Sequence, residues 1–164
     1  KLKGNILIGS NCKIGGEITN TIFCNYSNKQ HDGFLGNSFV GEWVNIGANA
    51  NNSNLKNNYG FVKFQFNDSI INTNKIFLGA MIGDYSRIGI STMINTGSYI
   101  GLGANVFGGG FQEKYLKSFS WGRKDITDFN KFIQTVTIMK SRRNKKVTDL
   151  ELSFLKEFYN LNLK

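Results

Sequence analysis

The chain has no proline, one histidine, two cysteines and no long apolar run among its 164 residues. The missing apolar run excludes a membrane-spanning helix, which needs about 18 or more consecutive apolar residues. Nor does the start read as a secretory signal, with charged, apolar and small-residue regions in order. The first residue is Lys1 rather than methionine, so a trimmed piece of a longer protein is expected. Cys12, Cys24 and the lone His31 cannot complete a four-ligand zinc site within one chain. No tightly bound metal is therefore predicted. Two cysteines make no disulfide framework, and a reduced, cytoplasmic setting is the default.

Without proline, the corners fall to 19 glycines and 22 asparagines. Both residue types tolerate left-handed backbone angles, glycine for want of a Cβ and asparagine by local side-chain bonding. A chain so rich in them turns often. Apolar residues at 40% and aromatics at 13% are too many for a disordered chain. The net charge of +9 is uneven. Residues 1–112 carry 8 Lys/Arg against 5 Asp/Glu, whereas residues 113–164 carry 12 against 6. Most of the excess thus belongs to the tail.

The turns serve a repeat. An aliphatic residue recurs every six positions at Ile70, Ile76, Ile82, Ile88, Ile94, Ile100 and Val106. A small residue stands four places after most of them, at Ala80, Ser86, Thr92, Ser98 and Ala104. Phe34, Val40 and Ile46 keep the same phase, while Ile8 and Ile14 keep the spacing two positions out of phase. A period of six fits neither a helix nor one alternating strand. It fits short strands joined by corners, with the aliphatic and the small residue turned inward. Three sides give about 18 residues per turn, a parallel β-helix of the hexapeptide kind. The fold class is therefore all-β, with residues 1–111 forming the β-helix and a polar loop inserted at about 51–60.

Residues 112–164 read as a linker and a two-helix appendage. Gly108-Gly109-Gly110 is the expected exit from the array. Ile126, Phe129, Ile133 and Val136 follow helical spacing, and Thr148-Asp149-Leu150-Glu151 is a capping-box start. Leu150, Phe154, Leu155, Phe158 and Leu161 mark an apolar face on the second helix. The basic segment 140–146 between the helices reads either as a solvated helix end or as a phosphate contact. It lacks a recognition fold and interleaved aromatics, so no nucleic acid is expected. Trp43 and Trp121 read as packing residues, and Cys12 and Cys24 as small residues of the β-helix.

The pattern of aliphatic, glycine and small residue resembles the hexapeptide acyltransferases, and that resemblance implies a left-handed coil. Within it, residues 31–48 (His-Asp-Gly-Phe-Leu-Gly-Asn-Ser-Phe-Val-Gly-Glu-Trp-Val-Asn-Ile-Gly-Ala) resemble the acetyltransferase domain of the bifunctional N-acetylglucosamine-1-phosphate uridyltransferases. That family carries His-x-x-Tyr-Leu-Gly and, nine residues after the glycine, Asn-Ile-Gly-Ala. Gly36 and Asn45 stand at the same separation here. The longer string from Tyr26 to Tyr59, with Gly108–Phe111 and Ser118–Gly122, is similar to bacterial sugar-1-phosphate nucleotidyltransferases with a C-terminal β-helix.

The resemblance implies acetyl-CoA as acyl donor and an amino-sugar phosphate or nucleotide sugar as acceptor. His31 would be the general base, and Asn45 would help bind the sugar phosphate. Ala48 would line the acetyl-CoA pocket, and Asn58-Tyr59 would close the site. It also implies a homotrimer with sites between neighbouring prisms, and a nucleotidyltransferase domain ahead of Lys1. Two positions depart from the pattern. Phe34 replaces the tyrosine that contacts the sugar, and the family's substrate-binding lysine falls at Thr19. Lys29 is the candidate to stand in for that lysine. Asn28, Lys29 and Asp32 are the polar neighbours expected to orient the His31 imidazole. The alternative function is a non-catalytic trimerisation or ligand-binding module. A carbonic anhydrase of this fold is excluded, because it needs several histidines.

Overall fold

The computed structural model describes residues 1–163. Short strands stack in parallel on three faces of a solenoid, and two helices follow. The first face holds Leu2–Lys3, Glu17–Thr19 and Phe34–Gly36, and above them Asn51–Asn52 and Met93–Ile94. The second holds Leu7–Ile8, Ile22–Phe23, Phe39–Val40, Ala80–Ile82, Ser98–Ile100 and Tyr115–Leu116. The third holds Lys13–Ile14, Asn28–Lys29, Asn45–Ile46, Arg87–Ile88, Asn105–Val106 and Ser120–Trp121, with Asp125–Ile126 antiparallel at its end.

One residue per strand points inward and stacks on its counterpart in the next coil. Ile82, Ile88, Ile94, Ile100 and Val106 are buried, as the six-residue spacing predicts. So are the small residues Ala80, Ser86, Thr92, Ser98 and Ala104, each two places before the next inward residue. Their hydroxyls return to the main chain, as when Ser86 Oγ donates to the Gly101 carbonyl at 2.8 Å. A buried hydroxyl left unpaired would cost about 1–3 kcal/mol, so the corner bonds matter.

The first coils are shorter than the later ones. Ile8 pairs with Phe23 and Ile14 with Lys29, 15 residues on. Ile82 pairs with Ile100 and Ile88 with Val106, 18 residues on. The shorter corners put Leu35, not Phe34, in the inward slot, stacked on Ile18. Between the strands at 34–36 and 51–52, side chains replace the ladder. The main-chain N–H of Phe34 donates to Asn51 Oδ1 at 2.7 Å and that of Gly36 to Asn52 Oδ1 at 2.8 Å.

Ile70 and Ile76 do not belong to the array. The chain leaves the solenoid after Asn52, so the departure begins later than the expected loop at 51–60, and it rejoins at Ala80. In between, Lys63–Phe66 and Ser69–Asn72 form an antiparallel hairpin that carries Ile70, which is exposed. Ile76 lies outside any strand and is also exposed. The hairpin is held over the second face by aromatics. Phe66 meets the edge of Tyr99 at 5.2 Å, and Tyr99 stacks on Tyr115. The array also outlasts Gly108–Gly110. Phe111 bridges to Met93, and the strands Tyr115–Leu116 and Ser120–Trp121 complete another coil.

The corner between the second and third faces carries aromatics in left-handed backbone angles. Tyr26, Trp43, Tyr85 and Phe119 all have φ near +60°. Asn11 begins this column, and Asn20, Asn37 and Asn49 turn left-handed at other corners, as the composition leads one to expect. For a bulky residue the angle costs roughly 1–2 kcal/mol. Burying an aromatic side chain of about 200 Å² contributes about 5 kcal/mol, so burial wins. Trp43, Tyr85 and Phe119 are buried against Phe132 and Val136 of helix α1 (Phe129–Ser141) and Leu155 of helix α2 (Asp149–Asn162).

Asp128 caps α1 and accepts from the Lys131 N–H; Thr148 and Glu151 form the expected capping box of α2. The face of α2 differs from the expected one. Leu155 is buried and Phe158 and Tyr159 pack beside it, while Leu150, Phe154 and Leu161 are exposed. The buried side of α2 includes Glu151, which accepts from Lys140 Nζ and from the Tyr85 hydroxyl. Placing this carboxylate inward turns the leucines beside it outward. Trp121 packs edge-on against Phe107 but stays half exposed. Cys12 and Cys24 are free thiols, with Cys12 packed against the core. No helix among the described residues is long and apolar enough to cross a membrane.

Two outcomes follow for the helical appendage. Phe132→Ala removes a fully buried ring at the seam and should lower the unfolding free energy by about 3–5 kcal/mol in urea titration. Glu151 supplies the pH dependence. Burial pushes its carboxyl up, but hydrogen bonds from Lys140 and Tyr85 outweigh burial and hold it below the usual range. Its contribution is therefore present above the unfolded pKa of about 4.3 and lost as pH falls through the lower folded value. Stability measured downward from about pH 5 should fall more steeply in the wild type than in Glu151→Gln.

Candidate functional site

His31 and Asp32 form the corner between the third and first faces. This corner stacks on those above and below it. The Asn49 N–H donates to the Asp32 carbonyl at 2.8 Å, and the Ser91 N–H donates to the Ala48 carbonyl at 2.8 Å. Ala48 thus lies one coil above His31 on the same edge, half-buried. The imidazole of His31 is exposed and makes no hydrogen bond among the described residues. Of the neighbours expected to orient it, Asn28 and Lys29 are engaged elsewhere.

Lys29 departs most from expectation. It occupies an inward slot of the third face, between Ile14 and Ile46, and is fully buried. Its Nζ donates to the His31 carbonyl at 2.8 Å and to the Asp32 carbonyl at 3.3 Å. Burial pushes its pKa down, against the pull of Asp32. Gly16 makes room for it, since a Cβ there would stand 3.1 Å from Nζ and 2.9 Å from the His31 carbonyl oxygen. Gly16 also holds φ at +78°, which a larger residue would resist. Lys29 therefore ties down the His31 corner from inside and is enclosed away from any substrate.

The remaining candidates lie on other parts of the prism. Phe34 is half-buried on the first face, just past the His31 corner. Asn58 and Tyr59 belong to the excursion at the edge between the first and second faces. Tyr59 is 71% exposed with φ at +55°, and Asn58 Oδ1 accepts from the Gly60 N–H. Asn58 lines a cavity of about 490 Å³ with Lys56, Asn95, Phe111 and Lys114. Within one chain, His31 and Ala48 share an edge, whereas Asn58 and Tyr59 occupy another.

Asn45 faces outward on the third face, in register with Asn28 below and Arg87 above. It lines a cleft of about 570 Å³ that the appendage creates. The floor is the outward row Lys13, Asn28, Asn45 and Arg87, and the far wall is α1 with Arg142 and Arg143 just beyond it. Tyr26 and Trp43 close one side as a parallel stack at 4.2 Å, with Lys140 Nζ 5.6 Å from the Trp43 ring centre. Lys13 and Arg87 belong to no motif of the sequence. The available signal was positional, because each directly precedes an inward residue of the same face.

No family model matches the chain. Over 106 residues it is 33% identical to a bifunctional sugar-1-phosphate nucleotidylyltransferase/acetyltransferase of Sulfurisphaera tokodaii, a match covering 63% of this chain and 26% of that protein. The chain thus spans about a quarter of the curated relative it matches. That identity and the parallel solenoid agree with the resemblance carried by residues 31–48, and the chain is similar to a hexapeptide acetyltransferase-like domain of a sugar nucleotidyltransferase.

Proposed function

We propose that the chain is the acetyltransferase-like domain of a sugar-1-phosphate nucleotidyltransferase, transferring an acetyl group to the amine of an amino-sugar phosphate or nucleotide sugar. The observation that carries this reading is His31 itself. The one histidine of the chain falls on the ungapped motif and stands exposed on a corner pinned from within by Lys29. Acetyl-CoA supplies the activated acyl group. His31 accepts the proton that the amine loses as its nitrogen bonds to the acyl carbon, and returns it to the departing sulfur. Ala48, one coil above, leaves space beside the imidazole for the thioester.

The reading calls for a homotrimer. Asn58 and Tyr59 sit on a different edge from His31, so a neighbouring copy would bring them to it. Free thiols at Cys12 and Cys24 suit a reduced, cytoplasmic setting. Phe34 offers no hydroxyl, and Thr19 no cation.

A second reading, a non-catalytic trimerisation or ligand-binding module, is favoured by the enclosure of Lys29. Among the described residues, Lys29 is then not free at the His31 corner to hold a sugar phosphate. The two readings separate in one assay. His31→Ala should reduce acetyl transfer to glucosamine 1-phosphate by about 10²–10⁴-fold. Its melting temperature should stay unchanged, because the side chain is exposed and unbonded. Equal turnover by both proteins would sink the role of His31. Absence of any acetyl-CoA turnover by the wild-type trimer would favour the module.

A further inference from the structure

Among the described residues, the cleft between the third face and α1 is lined by four cationic side chains, Lys13, Arg87, Arg142 and Arg143, and by no carboxylate. Like charges gathered in a concave wall repel one another unless something answers them. Arg87 is half-buried in the floor, and its Nη2 is shut off from solvent without a hydrogen-bond partner among the described residues. Burial pushes its pKa down, as expected of a guanidinium without a counter-charge. An unpaired buried guanidinium nitrogen is costly and points to a missing acceptor.

Arg142 and Arg143 do not act as ordinary helix-end cations. Carbonyls of the last turn of α1 are already satisfied by the main chain. The Ile138 carbonyl accepts from the Arg142 N–H, and the Lys140 carbonyl accepts from the Arg143 and Lys145 N–H groups. Arg143 instead reaches across the cleft, donating from Nη2 to Asn28 Oδ1 at 3.2 Å. Lys140, in the last turn of α1, is paired with Glu151. The Arg143 guanidinium is thus turned toward the solenoid, and Arg142 lines the same cleft as Arg87.

We propose that this cleft is an anion site that takes the phosphoryl group of a small phosphorylated molecule, with Arg87 as its central ligand and Arg142 and Arg143 closing from the appendage. Guanidinium forks match phosphate oxygens in pairs, which a lone lysine cannot do. Gln30, Asn28 and Asn45 line the same cleft and suit the hydroxyls of a sugar or ribose. The volume of about 570 Å³ accommodates a sugar phosphate or a nucleotide head group. The site does not rest on acetyl transfer, although Asn45 belongs to both readings.

Titration calorimetry of the 164-residue chain with inorganic pyrophosphate at low salt tests the proposal. Binding should weaken with added salt. Arg87→Gln should weaken it about tenfold or more, and so should the double variant Arg142→Gln/Arg143→Gln, which alters only the helix end. Competition then distinguishes the sources. Displacement by glucosamine 1-phosphate indicates a sugar phosphate, and displacement by adenosine 3′,5′-bisphosphate indicates the coenzyme A head group. His31→Ala should retain pyrophosphate binding even if it loses acetyl transfer, so failure of either reading leaves the other standing. No binding by the wild type, or equal binding by the wild type and both arginine variants, overturns the proposal.

Discussion

Everything in this molecule depends on the stacking of inward side chains from coil to coil. No coil can bury its own interior, so each aliphatic gains its environment from the one above and below. Ile82 on Ile100 and Ile88 on Val106 are such pairs. Each fully buried aliphatic contributes about 1.5–3 kcal/mol, and the sum holds strands of two or three residues that would never persist alone. The same stacking fixes every outward residue, because the residue before an inward one must face out. The row Lys13, Asn28, Asn45 and Arg87 is a consequence of Ile14, Lys29, Ile46 and Ile88.

That constraint explains what the sequence shows and what it conceals. From Ile82 to Val106 the coils are regular, and both the inward aliphatics and the small residues before them are legible. In the first coils the corners lose residues, so the inward series Ile18, Phe23, Lys29 and Leu35 keeps no fixed period. Lys29 is illegible for a further reason. A lysine in an inward slot breaks the apolar pattern, and only the space left by Gly16 and the carbonyls of His31 and Asp32 makes it tolerable. Ile70 and Ile76 mislead in the opposite way. Their spacings from Ile82, twelve and six, are a coincidence of a hairpin and its return, and only pairing across the hairpin reveals it.

The candidate site was legible in the same uneven manner. His31, Asn45 and Ala48 are local to one motif, and the structure places His31 and Ala48 on one edge. Asn58 and Tyr59 come from the excursion, whose path depends on the packing of Phe64 and Phe66 on Tyr99 rather than on any repeat. The helical face of α2 departs from the apolar pattern because a half-buried carboxylate decides it. Glu151 is inward to meet Lys140 and Tyr85, and hydrophobicity alone selects Leu150 and Phe154 instead.

The aromatic corner links the repeat to the cleft. Tyr26, Trp43, Tyr85 and Phe119 accept left-handed angles where asparagine or glycine would sit without strain. A solenoid alone gains nothing from that choice, since an outward aromatic corner would be strained and exposed. With the helices docked, three of the four rings become the core of a second cluster, and the strain is offset by burial. Tyr26 is the exception, half-buried and stacked on Trp43 at the cleft wall rather than under the helices. The corner therefore does two things at once. It anchors α1 beside the third face, and it converts the outward row from Lys13 to Arg87 into a walled site. Without the appendage that row would lie in open solvent, where the same cations would be screened and weak.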